Sequence, residues 1–141
     1  GLLANAAQIG AAFEHIVVVT NQQCIAKGLL SEQALNDIHQ NMCNELQSAG
    51  MHIDIVLAAT EFKNGQAQRR KPNTGMAFEA QEALPNIDFQ KSIMVGDTNT
   101  DILFGKKLGM YTVLVASIEK VKETPDLTIA HLSELSRYLW K

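Results

Sequence analysis

Apolar residues recur along this chain in two alternating rhythms. Leu2, Leu3, Ala6, Ile9, Ala12 and Phe13 fall at three- and four-residue steps, so the chain opens in a helical pattern. His15-Ile16-Val17-Val18-Val19-Thr20 reads as a strand, and its unbroken apolar run predicts cover on both faces, as in a parallel sheet. Ser31 suits the cap of a helix with Leu35, Ile38, Met42, Leu46 and Ala49 on its apolar face, and Gly50 suits its end. Ile53-Asp54-Ile55-Val56-Leu57 predicts a second strand, followed by a polar loop from Thr60 to Asn73. Thr74 can cap a helix through Leu84, which Pro85 follows.

The rhythm then repeats. Ser92-Ile93-Met94-Val95 predicts a third strand, ending at Gly96-Asp97. A helix through Leu108 follows, with Gly109 at its C′ position, and Met110 to Val115 predicts a fourth strand. Leu127-Thr128-Ile129 is a short extended piece before a final helix from about Leu132 to Trp140. Strands alternating with helices predict an α/β fold with a Rossmann-like, doubly wound parallel sheet. Val17, Val18, Ile55, Met94, Val95 and Val113 are its expected buried positions. Ligands of such sheets sit beyond the C-terminal strand ends, which directs attention to Thr20-Asn21, the segment before Pro72, and Gly96-Asp97.

Composition narrows the field. The 141 residues are 46% hydrophobic and suit one globular domain. A net charge of −3 argues against non-specific nucleic-acid binding. No apolar run reaches the roughly 18 to 20 residues that span a bilayer, so no membrane partner is expected. The two cysteines, Cys24 and Cys43, lack metal-type spacing, and a reducing cytoplasm is the expected location. His15, His39, His52 and His131 are scattered and read as ordinary structural or surface residues.

Each candidate residue has a plain reading and a chemical one. Thr20 and Asn21 can simply close a strand. Lys71, beside Arg69 and Arg70, can be solvated surface, or a point charge that neutralises a phosphoryl group ahead of the Thr74-Gly75 helix start. Asp97 and Asp101 can be an N-cap and a first-turn acid, or a hard-oxygen pair for Mg²⁺. Together, a hydroxyl, a lysine and a carboxylate pair at one sheet edge are the parts for phosphoryl transfer.

In this order the motifs resemble those of the haloacid-dehalogenase-like (HAD) phosphohydrolases, in the branch of heptose bisphosphate and histidinol-phosphate phosphatases. The carrying segments are Val17 to Gly28, Arg70-Lys71-Pro72-Asn73-Thr74-Gly75-Met76, and Ile93 to Asp101. The resemblance implies that Thr20 and Lys71 bind the phosphoryl group, that Asp97 and Asp101 hold Mg²⁺ directly or through water, and that Asn21 and Arg70 contact substrate. It implies a small sugar phosphate or related metabolite as substrate and a phospho-aspartyl intermediate.

The chain also departs from that pattern. The family opens with a central strand carrying Asp-x-Asp, whereas the first aspartate here is Asp37, within a predicted helix. The expectation is a single domain, residues 1–141, incomplete at its N-terminus, with weak Mg²⁺ affinity and no turnover alone. The strands flanking the absent one should pair directly, receive a strand from another chain by homo-oligomerisation or strand exchange, or pair with an upstream segment. A non-catalytic binding or assembly module is the alternative. The branch's zinc-ligand positions correspond to Ala58, Thr60, Ala67 and Arg69, so no zinc is expected. Cys24 lies in the loop near the phosphate motif, where a thiol catalyst is conceivable but unsupported by any nearby histidine in its motif.

Overall fold

The computed structural model describes residues 2–21, 31–59 and 69–139. Its elements follow the alternation of the sequence: α1 (Leu2–Ala12), β1 (Val17–Asn21), α2 (Glu32–Ser48), β2 (Ile55–Ala59), α3 (Gly75–Ala83), β3 (Ile93–Gly96), α4 (Asn99–Lys107), β4 (Tyr111–Val115), β5 (Leu127–Ile129) and α5 (Ser136–Leu139). Short 3-10 turns at Phe89–Lys91 and Leu132–Leu135 complete the set. All strand pairs are parallel, as expected: β1 with β2, and β3 with β4 and then β5.

The helix ends follow from local chemistry. Ser31 caps α2 by accepting the Ala34 N–H at 3.1 Å. Gly50, at φ +100°, turns the chain out of that helix where a side chain would also strike Ala7. Gly109, at φ +75°, performs the same reversal after α4. Thr74 stands at the N-cap of α3 but its side chain makes no capping bond. The expected C-terminal helix begins instead as the 3-10 turn, with regular α-helix only from Ser136. There the Ser136 hydroxyl donates to the Ser133 carbonyl at 3.1 Å, satisfying it locally.

Side chains alternate between two helical layers. Val18 packs toward Ala6, Ile9, Leu46 and Met51 of α1 and the end of α2, and Val19 packs with Ala77, Met94 and Phe104. In β3, Met94 joins that second cluster while Ile93 and Val95 pack with Val113, Ile129 and Leu135. This is the doubly wound arrangement. It also ties the two sheets together: α3 packs on β1 and β2, its Ala77 meets Met94 of β3, and α1 contacts the C-terminal turn on the other face.

Among the described residues, β1 pairs only with β2 and β3 only with β4, so the parallel sheet divides in two. Direct pairing of the two flanking strands is therefore not what forms. Burial is correspondingly lower than expected: Met94 and Val113 are buried, but Val17, Val18, Ile55 and Val95 are only half-buried. A strand with a neighbour on one side alone leaves its other flank partly open, whatever its hydrophobicity.

Helix α4 packs closely on β3 and β4 at Gly105. A Cβ on Gly105 would stand 2.8 Å from both Met94 Cβ and Thr112 Cγ2. Gly105→Val should lower the unfolding free energy by about 2 kcal/mol or more by overpacking, with Lys107→Ala near neutral as a control, both read by urea denaturation.

Candidate active site

The C-terminal ends of β1 and β3 meet the segment before α3. The Asn21 carboxamide, at the last residue of β1, grips the main chain of Lys71: Oδ1 accepts the Lys71 N–H at 2.9 Å, and Nδ2 donates to the Lys71 carbonyl at 3.2 Å. This two-point clasp across fifty residues fixes where the Lys71 side chain starts. The following Lys71–Pro72 peptide bond is cis.

The ammonium of Lys71 then bridges the divided sheet. It donates to the Val19 carbonyl of β1 at 2.9 Å and to Asp101 Oδ1 of α4 at 2.6 Å. Both side chains are nearly buried, at 10% and 7% exposure, so this is a charge-assisted bond in a site with little water. An ammonium has three donors; these contacts use two.

Asp101 is held just as firmly on its other oxygen. Thr98 is the N-cap of α4 and forms a capping box with Asp101 at N3. Oδ2 accepts the N–H groups of Asp97 and Thr98, each at 3.2 Å, and contacts the Thr98 hydroxyl at 2.9 Å. Gly96 makes this possible, because a Cβ there would collide with the Asp101 carboxylate. The cap is therefore Thr98, one residue beyond the Asp97 cap considered from the sequence. Thr98-x-x-Asp101 is itself a capping-box signature and was readable as one.

The other candidates occupy the same edge in different states. Thr20 lies in β1 between Val19 and Asn21 and is half-buried. Arg70 is half-buried, and its Nη1 is buried without a hydrogen-bond partner. Asp97 is exposed, unlike Asp101. The structure thus brings Asn21, Lys71 and Asp101 into direct contact, and sets Asp97 one turn away with its carboxylate toward solvent. Cys24 lies outside the described residues.

The donor set can be tested against Mg²⁺, which is commonly bound by one or two carboxylates with waters and a substrate phosphate. The exposed Asp97 carboxylate fits a direct ligand. Asp101, with both oxygens engaged by Lys71 and the helix start, fits an outer role through water. No group of three or more acidic, histidine or cysteine side chains suited to a metal occurs among the described residues.

Two zinc-ligand positions of the resemblance, Ala58 and Arg69, are also in contact. Arg69 Nη1 donates to the Ala58 carbonyl at 2.9 Å and Nε donates to Glu79 Oε2 at 2.6 Å, so an arginine clasp ties the end of β2 to α3. Thr60 and Ala67 lie outside the described residues. His15 and His52 serve local structure far from this edge, pairing with Asn86 Oδ1 at 2.8 Å and Gln47 Oε1 at 2.9 Å. No helix among the described residues is long and apolar enough to cross a membrane.

Known proteins share this architecture. A HAD-hydrolase-like family model matches residues 68–135. The D-glycero-beta-D-manno-heptose-1,7-bisphosphate 7-phosphatase of Haemophilus ducreyi is 31% identical over 136 residues, covering 88% of this chain and 74% of the relative. Its counterpart in Rhodopseudomonas palustris is 29% identical over 117 residues, 78% of this chain and 64% of the relative. Other curated relatives are covered less fully: the chain spans 46% of the Mesorhizobium japonicum heptose-bisphosphate phosphatase and 55% of the Photorhabdus laumondii one, so it spans less than two thirds of the length of most of these relatives. In fold it superimposes on the D,D-heptose 1.7-bisphosphate phosphatase of B. bronchiseptica, solved with magnesium and phosphate, at a TM-score of 0.83 and 23% identity, covering 97% of this chain and 80% of that one.

The buried pair makes a quantitative claim. Lys71→Ala and Asp101→Ala should each destabilise the chain by about 3–5 kcal/mol, since each strands a buried charge. The double variant should cost clearly less than their sum, as read from a double-mutant cycle in urea. Gly96→Ala should weaken the same coupling by displacing the Asp101 carboxylate.

Proposed function

Since the chain belongs to the haloacid-dehalogenase-like hydrolases, in the branch of the heptose-bisphosphate and histidinol-phosphate phosphatases, we propose that it is part of a Mg²⁺-dependent phosphate monoester hydrolase acting on a phosphorylated sugar. The observation that carries this reading is the Lys71 ammonium, held nearly dry at the sheet edge with two of its donors satisfied. The third donor is free for a phosphoryl oxygen, where low local dielectric strengthens the interaction.

The chain's own residues divide the work. Lys71 neutralises phosphoryl charge, and Asp101 holds its ammonium in place. Asn21 fixes the Lys71 backbone, and the Thr20 hydroxyl donates to a phosphoryl oxygen. Arg70, with a buried nitrogen lacking a partner, pairs with a further anionic group of the substrate, because an unsatisfied buried cation is costly until an anion reaches it. Asp97, with Asp101 behind it, would hold Mg²⁺, which would supply shielding of the phosphoryl charge.

The attacking group is not among these residues. The sequence contains no Asp-x-Asp, and Asp97 and Asp101 are committed to metal and lysine. We place the nucleophile on a strand from outside the 141 residues, inserted in parallel between β1 and β3 and supplied by an upstream segment. That β1 and β3 pair with each other nowhere among the described residues, although Val19 and Met94 pack in one cluster, supports this. Reaction then proceeds through a phospho-aspartyl intermediate on that strand. The lack of an Asp-x-Asp equally motivates a second reading, a non-catalytic binding module.

One assay separates them. The 141-residue chain and a version extended by its native upstream segment are tested with Mg²⁺ against a panel of sugar phosphates, heptose bisphosphates included. Turnover is expected only in the extended chain, lost with Asp97→Asn and reduced about 10²–10³-fold in kcat by Lys71→Met. Equal turnover by both chains that survives Asp97→Asn would overturn the assignment. An extended chain that binds sugar phosphate without hydrolysing it would establish the binding module instead.

A further inference from the structure

The segment after β4, residues 116–126, does not run straight to β5 but folds back over the start of α4. Ser117 Oγ donates to the Asp97 carbonyl at 3.1 Å and accepts the Glu119 N–H at 3.3 Å. Farther along, Asn99 Oδ1 accepts the N–H groups of Lys122 and Glu123, at 2.8 and 2.9 Å. Lys106 pairs with Glu123 at 3.3 Å. The strap is thereby pinned to the β3–α4 turn, to the first residue of α4 and to its last turn.

Asp97 is consequently gripped at both ends of its main chain. Its N–H donates to Asp101 Oδ2, and its carbonyl accepts from Ser117. Only its carboxylate is left exposed. We propose that Ser117 and Asn99 are positioning residues for Asp97, and that the strap they anchor preorganises the divalent-cation ligand. The inference rests on reading Asp97 as that ligand. An aspartate on a loose turn must surrender backbone freedom when it coordinates an ion; one whose flanking peptides are already tied surrenders less. Nothing in the motifs of the sequence marks Ser117, which lies twenty residues beyond the turn it holds.

Mn²⁺ serves as the probe, titrated into the chain extended by its native upstream segment and followed by water-proton relaxation, with thermal unfolding run in parallel. Because the anchoring bonds are exposed, Ser117→Ala and Asn99→Ala should each weaken Mn²⁺ binding by about three- to fivefold, with Tm little changed. Ser117→Thr should bind as wild type and Ser117→Val, nearly isosteric with the threonine variant but lacking its hydroxyl, should bind like Ser117→Ala, a split that side-chain bulk alone does not produce. Asp97→Asn should abolish binding. If Asp97→Asn abolishes binding while Ser117→Val and Asn99→Ala match wild type, the positioning role falls and the ligand assignment stands. If Asp97→Asn binds as wild type, or wild type binds no Mn²⁺, the ligand assignment falls and takes the positioning role with it.

Discussion

The contact between Lys71 and Asp101 organises the whole sheet edge. Burying an ammonium and a carboxylate is unfavourable unless each finds nearly complete hydrogen bonding. Here the requirement is met by three separate stretches of chain. The Asn21 clasp sets the lysine backbone, the Val19 carbonyl takes one ammonium donor, and the Thr98 capping box saturates the second carboxylate oxygen. Gly96 contributes by having no side chain where the carboxylate must pass. The pair thus forces β1, the segment before α3 and the start of α4 into one place. Those are the strand ends at which a parallel α/β sheet offers its binding crevice.

That contact also spans the division of the sheet. β1 and β3 share no ladder, yet the layers on either side of them are continuous, through Val19, Ala77 and Met94 on one face and α1 with the C-terminal turn on the other. Cohesion between the halves therefore comes from side-chain packing and the Lys71 bridge, not from backbone hydrogen bonds. Apolar packing is tolerant of small shifts, whereas a strand ladder is specific in register. Among the described residues, this arrangement holds the layers while β1 and β3 each carry a ladder on one side only. The half-burial of Val17, Val18 and Val95 is the same fact seen from the side chains.

Much of this was legible in the sequence because it depended on local signals. The order of elements, Ser31 as a cap, Gly50 and Gly109 as helix terminators, and the direction of attention to Thr20-Asn21, the segment before Pro72 and Gly96-Asp97 all follow from periodicity, turn chemistry and the parallel-sheet rule. What escaped was settled by neighbours distant in sequence. The apolar run of β1 announced a buried strand, but burial also needs a second flanking strand, which no local pattern guarantees. Leu132 to Trp140 carried a helical pattern, but the chain starts as a 3-10 turn packed against α1 at the other end of the sequence. The clasp of Arg69 on Ala58 and Glu79 could not be foreseen from a basic run that reads equally as solvated surface.

The two aspartates show most plainly why spacing alone underdetermines chemistry. Asp97 and Asp101 stand four residues apart at one helix start, and by pattern either could hold a metal. Their environments separate them. Asp101 is buried, with both oxygens accepting strong donors, so few lone pairs remain for a cation, and removing it from Lys71 would strand a charge. Asp97 is exposed, and its main chain rather than its carboxylate is what neighbours hold. A metal-binding carboxylate needs free lone pairs on a fixed backbone, whereas a lysine-orienting carboxylate needs burial and saturation. On the proposed reading one turn of helix would supply both, because the capping geometry that draws Asp101 inward against Gly96 leaves Asp97 exposed.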